Sequence, residues 1–359
     1  MITVSEVDQI IANNLLELGE EKLNFDQCLG RVLKEDIIAD RPFPPFDRVM
    51  MDGIGIRYSE WEEGIRKFKI AGLQAAGDPQ LMLSDDASCL EVMTGAMLPE
   101  GADTVIKYED LILTDGFATI NSDLQVKHRQ HVHEEGTDRA LGERLIAGDM
   151  KISPAEVAVL ATVGKFMVTV AKQPRVAVIA TGDELVDVDV IPDVHQIRKS
   201  NVFELFSGLQ EEGIEANIYH FKDDKPTLRA GLAKILAEHD VVVLSGGVSK
   251  GKLDYVPEIL EELKVEKLFH KVKQRPGKPF WFGRYKSGVV FALPGNPVST
   301  FVGLKRYVIP YLYRLAGVEP KIVKAQLNEN FAFKPDLTYF LQVTLEYDEH
   351  GRLLATPAP

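Results

Sequence analysis

Cysteine is nearly absent from this sequence. Cys28 and Cys89 are the only two among 359 residues, and they have neither the spacing of a zinc site nor a partner set for a disulfide framework. Small folds held by metal or disulfides are therefore excluded. Long apolar runs are missing as well: the most apolar window, Ile152 to Ala171, is broken by Glu156, Gly164 and Lys165, so no segment reads as a membrane span. A basic excess is lacking, because the net charge is −13; this argues against a broad nucleic-acid or membrane surface. The first residues show no basic stretch followed by an apolar one, the pattern of an export signal. The expectation is a cytoplasmic enzyme of roughly two to four domains.

Thr3 and Glu6 stand at capping-box spacing, and Val7, Ile10, Ile11, Leu15 and Leu18 follow at helical intervals, which predicts an opening amphipathic helix. A second helix is expected from Ser153-Pro154. Between about Asp40 and Asp149, short β-like runs such as Phe68 to Ile70 and Thr104 to Tyr108 alternate with Gly, Pro and Asp turns, the pattern of a β-rich domain inserted into a helical one. From Pro174 onward strands and helices alternate. Strands are expected at 175–181, 214–221, 240–245 and 289–293, and helices from Ser200 or Asn201, over 226–238, over 256–263 and from Pro297. This βαβ rhythm predicts a parallel sheet covered on both faces. After Gly317 the chain is β-like again, with Tyr339 to Tyr347 as its clearest strand. The fold class is therefore multidomain α/β and β. Its parts are a helical region (1–40 with 141–173), an inserted β-rich domain (41–140), an α/β domain with a parallel-rich sheet (174–316) and a short C-terminal β domain (317–359).

The stretch from Pro44 to Gly53, PPFDRVMMDG, combines two prolines that fix φ, a permissive glycine and two carboxylates, Asp47 and Asp52; it reads as a shaped loop that presents acids. Carboxylates capping nearby backbone amides are the plainer alternative. Three of the expected strands end in glycine-bearing loops: Thr181-Gly182-Asp183-Glu184, Ser245-Gly246-Gly247-Val248-Ser249-Lys250-Gly251 and Leu293-Pro294-Gly295-Asn296-Pro297. Ligands of open α/β sheets bind at such strand ends, where Gly246 and Gly247 could form an amide nest and Asn296-Pro297 opens a helix. Asp183, Glu184, Asp223, Asp224 and Asp254 stand near these ends, opposite Lys250, Lys271, Arg275 and Lys278. The basic residues belong largely to a stretch from Lys264 to Lys286 with a local balance of +7. Acids beside bases at an anion site suit a divalent cation that bridges a phosphorylated ligand. Surface ion pairs remain the alternative for Asp224 and Lys273, and a lysine-protected strand edge the alternative for the basic stretch. Gly246 to Lys252 approaches a P-loop, but Leu253 stands where Ser or Thr holds Mg²⁺, so triphosphate hydrolysis is rejected. His131 and His133 would share a face on a strand; lacking a third ligand they, with His128, read as polar loop residues.

PPFDRVMMDG, MTGAMLPEGADTVI (Met93 to Ile106), TGDEL, SGGVSKGKLDY (Ser245 to Tyr255), RPGKPFWFG (Arg275 to Gly283) and LPGNPVS occur in the order and spacing of the MoeA and gephyrin E-domain family, the molybdopterin molybdenumtransferases. The resemblance covers almost the whole chain. It implies a homodimer with a molybdopterin-adenylyltransferase-like α/β domain that inserts molybdate into adenylylated molybdopterin, releases AMP and uses Mg²⁺. Asp52, Glu184 and Asp254 are implied as catalytic and metal-holding residues. Thr94, Asp223, Gly246, Gly247, Ser249, Lys271, Arg275, Lys278, Pro294 and Asn296 are implied as substrate contacts, with Asp138 a further candidate. Asp52 is expected to approach the Glu184 and Asp254 crevice of the partner protomer. A pterin adenylyltransferase and molybdoenzymes are implied partners. Two departures stand out: His131 to Asp138 replaces an arginine-rich segment, and Arg275 stands where lysine is usual. The C-terminal β domain is expected to be incomplete. The alternatives carried beside this reading are a non-catalytic binding or scaffold paralogue, and pterin adenylylation. Gly-Gly-Val-Ser in place of Gly-Gly-Thr-Gly disfavours the latter.

Overall fold

The structure is a computed structural model and describes residues 1–248, 255–286 and 288–358. The chain forms two compact units. One comprises Met1–Glu35, Gly148–Val157 and Phe166–Pro359; the other comprises Asp36–Ala147 and Ala158–Lys165.

The first unit is built on a six-stranded sheet of β1 (Val176–Thr181), β2 (Ala216–Phe221), β3 (Val241–Ser245), β4 (Glu266–His270), β5 (Trp281–Tyr285) and β6 (Gly288–Leu293), in the order β2-β1-β3-β6-β5-β4. The first four in that order are parallel, and β5 and β4 add as antiparallel strands. β1, β3 and β6 are buried at every position because both faces are covered, which is why they read as unbroken apolar runs. The period of two sorts their residues into two cores. Val176, Val178, Val241, Val243, Val289 and Phe291 join one, together with Val202, Leu205 and Leu209 of α1 (Asn201–Glu211). Ala177, Ile179, Val242, Leu244 and Val290 join the other, with Leu228, Leu232 and Ile235 of α2 (Lys225–Glu238) and Ile259 of α3 (Val256–Glu262). The opening helix forms at Val4–Ala12; the Thr3 hydroxyl accepts from the Glu6 amide, the Glu6 carboxylate accepts from the Thr3 amide, and Val7 and Ile11 enter the first core.

The structure differs from the sequence reading in two regions. β4 and β5 lie inside the basic stretch, where lysines and arginines masked the strand period; β5 meets β6 through so short a connection that only antiparallel pairing is available. The expected strand from Tyr339 to Tyr347 is two strands. Thr338–Tyr339 pairs with Gln274–Arg275, while Val343–Tyr347 pairs with Leu353–Pro357.

The second unit holds another six-stranded sheet, ordered Thr104–Lys107, Gly53–Ile56, Ser88–Val92, Lys67–Gln74, Phe117–Ile120 and Leu111–Thr114. Its alternation feeds Val92 and Val105 into one core and Ile54, Ile56, Phe68, Cys89 and Ile106 into another. Gly53 sits where a Cβ would lie 1.9 Å from the Ile106 carbonyl oxygen, so only glycine admits the close pairing of its strand with Lys107.

Candidate functional site

In the first unit the ends of β1, β3 and β6 open into a crevice of about 750 Å³. Its wall brings together Glu184, Asp223, Gly246, Gly247, Arg275, Lys278, Pro294 and Asn296, eight of the residues singled out in the sequence. The loop geometry explains why glycine is needed: Gly246 and Gly247 have φ of 97° and 68°, and a Cβ on Gly247 would lie 2.7 Å from a Val256 methyl and 2.8 Å from the Thr181 hydroxyl. The Asn296 carboxamide oxygen accepts from the Ser299 amide at 3.2 Å and caps the helix Pro297–Gly303. The Asn201 amide donates to Ser245 Oγ and the Gly295 carbonyl, each at 2.9 Å, tying the β3 and β6 ends together.

The charges of the crevice face solvent. Glu184, Arg275 and Lys278 are exposed, and among the described residues neither cation is paired with a carboxylate. Asp223 donates its backbone amide to Asp183 at 3.2 Å. By contrast, Asp224 caps α2: its carboxylate is held below its usual range by the Thr227 side-chain and backbone hydrogen bonds. Lys273 pairs with Asp336 at 2.9 Å. Lys273 thus follows the ion-pair reading, whereas Asp224 is a helix cap rather than a member of an ion pair. Lys271, at φ 73°, follows β4 and is not among the described wall residues. β4 is an edge strand, so Lys267 on it fits edge protection, whereas Arg275 and Lys278 line the crevice. Ser249 and Asp254 lie outside the described residues.

Two crevice residues escaped notice as individuals. Thr181 is buried at the crevice floor, and its hydroxyl has no hydrogen-bond partner among the described residues; a buried orphan of this kind suits a ligand or water. Gln274 is 2% exposed, donates to the Gly277 carbonyl at 3.1 Å and accepts from the Tyr307 hydroxyl, which fixes the turn carrying Lys278.

In the second unit Asp52 and Thr94 come together. Asp52 Oδ1 accepts from the Thr94 amide and hydroxyl, both at 2.7 Å, and these bonds hold the exposed carboxyl below its usual range, the backbone contribution first. Asp47 is opposed by burial, which pushes it up, but the Glu135 amide at 3.0 Å and the Arg129 guanidinium at 2.6 Å outweigh this and keep it low. Arg129 also bonds Glu134 at 3.0 Å. His133 lies between Arg48 and Asp138, each at 3.0 Å. His131, at φ 56°, leaves the strand Val132–His133, so the two imidazoles do not share a strand face. Among the described residues no group of three or more His, Cys, Asp or Glu forms a metal cluster. Glu184 and Asp223 are the described crevice carboxylates that could hold Mg²⁺, an ion commonly bound by one or two carboxylates together with ligand phosphates. Among the described residues no helix is long and apolar enough to cross a membrane.

Comparison with known proteins agrees with this architecture. Residues 2–164 match the MoeA N-terminal region (domain I and II), and residues 177–314 match a family described as a probable molybdopterin binding domain. A molybdopterin molybdenumtransferase of Synechocystis is 40% identical over all of this chain and 90% of its own length. One of Staphylococcus epidermidis is 35% identical over 92% of this chain and 80% of its own. The solved molybdopterin biosynthesis MoeA protein from Pyrococcus horikosii is 31% identical and superposes with a TM-score of 0.82, covering 100% of this chain and 90% of that one. With sequence and fold alike matched from end to end, the chain belongs to the MoeA family.

Proposed function

We propose that this chain is a molybdopterin molybdenumtransferase. It binds adenylylated molybdopterin in the crevice of the six-stranded sheet and transfers molybdenum from molybdate to the pterin dithiolene, with release of AMP. The observation that carries this reading is one crevice holding two cations without a carboxylate partner among the described residues, Arg275 and Lys278, beside the carboxylates Glu184 and Asp223 and the Gly246-Gly247 turn. Arg275 offers a planar fork to phosphate oxygens, and Lys278 offers a point charge. The Thr181 hydroxyl and the amides of the glycine turn supply neutral donors. Glu184 and Asp223, with Asp254 and Asp52 carried over from the resemblance, would hold Mg²⁺, which when bound neutralises phosphate charge as AMP departs. Ser249 and Lys271 are carried in the same way as substrate contacts.

Incubation with adenylylated molybdopterin, molybdate and Mg²⁺ tests the reading directly. AMP and the molybdenum-bearing cofactor should form together. Stoichiometric binding without either product would make the chain a binding or scaffold paralogue.

The resemblance further supports a homodimer in which Asp52 of one protomer serves the crevice of its partner. Mixing Asp52→Asn with Glu184→Gln protomers should raise activity in the heterodimer well above that of either strongly impaired parent; mixed dimers without recovery would reject the shared site. A cytoplasmic place of work is part of the proposal and is supported by the two buried, free thiols, Cys28 and Cys89. Fractionation of cells that express the chain tests it. The substrate must come from a reaction that adenylylates the pterin phosphate, and apoenzymes that need the finished cofactor must consume the product.

A further inference from the structure

The same sheet carries a second basic cavity at its other end, where β1, β3 and β6 begin. About 860 Å³ in volume, it is lined by Lys172, Arg175, Arg284 and Lys286, with Asp240 and Glu17 as its acids. Asp240 is already occupied: its two oxygens accept from Arg175 Nη2 at 2.8 Å, Nε at 3.1 Å and the Arg175 amide at 2.9 Å. That pair cancels its own charge and fixes the guanidinium in place. Arg284 donates to Asn14 Oδ1 at 3.3 Å, a neutral partner that leaves its charge uncompensated. Lys172 and Lys286 are exposed and unpaired with any carboxylate among the described residues. Three cations therefore face one remaining acid, Glu17, within a chain of net charge −13. Edge protection does not account for them, because the sheet's edges are β2 and β4 and none of the four basic residues belongs to either strand.

We infer that this cavity is a second anion site, separate from the crevice, for a small ligand carrying a diphosphate or triphosphate group. A single exposed ion pair is weak, so useful affinity needs several charges on one ligand meeting several cations at once. Arginine forks match phosphate oxygens, and the lysines add point charges at the rim. Leu15 and Leu16, packed on the core, line the same cavity and offer an apolar seat to an organic portion of the ligand. The inference does not depend on the reaction proposed for the crevice.

Calorimetric titration with inorganic pyrophosphate, at low salt and without divalent metal, provides the test. It compares the unaltered chain with Lys278→Ala and with the double reversal Lys172→Glu/Lys286→Glu. Lys278→Ala should keep a class of binding that the double reversal weakens by about tenfold or more, and that class should fade as salt rises. Lys172→Arg/Lys286→Arg should retain it, separating charge from packing. If the reversal unfolds the chain, Lys172→Gln/Lys286→Gln gives the same comparison. The site is overturned if Lys278→Ala abolishes all pyrophosphate binding, or if the folded double variant binds as tightly as the unaltered chain.

Discussion

In the β-rich unit the ion pairs beside the Pro44–Gly53 loop are internal: Asp47 meets Arg129 and the Glu135 amide, and Arg129 also meets Glu134. In the crevice of the α/β unit, Arg275 and Lys278 have no carboxylate partner among the described residues, and a buried threonine hydroxyl is left open. Similar residue types thus do different work. Paired charges on loops fix shape, so their removal should cost stability; unpaired charges at strand ends leave interactions unmade until a ligand arrives, so their removal should cost binding or turnover.

The largest effect should fall on the shaped side of this contrast. Gly53→Ala drives a methyl into the Ile106 carbonyl and should destabilise the fold by about 3 kcal/mol, read as a lower urea midpoint; an unchanged midpoint would show that the strand pairing yields easily. Glu184→Gln removes an exposed crevice carboxylate, so it should leave the urea midpoint in place and slow single-turnover AMP release by roughly 10²-fold. Equal loss of stability and turnover would erase the distinction. Lys278→Ala should weaken binding of adenylylated molybdopterin by about tenfold at low salt and by less at high salt. The smallest effect concerns Asp47. Its folded pKa lies below the unfolded value of about 3.9, so its contacts stabilise above that range and the contribution is lost as pH falls through the folded value. With both partners partly exposed, Arg129→Ala should cost about 0.5–1 kcal/mol near neutrality after screening, and the difference should shrink in acid. A difference that grew in acid would contradict the assigned partner.

The α/β rhythm was legible because β1, β3 and β6 are buried on both faces and announce themselves as apolar runs, while α1 and α2 keep their apolar residues at helical spacing. The crevice followed from the topology, since glycine loops at the ends of neighbouring parallel strands must converge. What escaped was set by pairing rather than by pattern. β4 and β5 hide among lysines and arginines, and the break between Tyr339 and Val343 depends on two different partner strands. Thr181 and Gln274 gain their roles only from what lies against them, and a lone Thr or Gln in a sequence carries no such information. Asp224 and Asp223 are neighbours with different fates: one caps a helix, and the other faces the crevice.

On the proposed function, substrate is held by Arg275 and Lys278, which have no carboxylate partner among the described residues, and not by the ion-paired Arg129 of the loops. Equilibrium binding of adenylylated molybdopterin to Arg275→Ala/Lys278→Ala and to Arg129→Ala, measured side by side at low salt, tests it most directly. Affinity should fall at least tenfold for the crevice variant and stay within about twofold of the unaltered chain for Arg129→Ala. Equal losses in both, or none in the crevice variant, would contradict it.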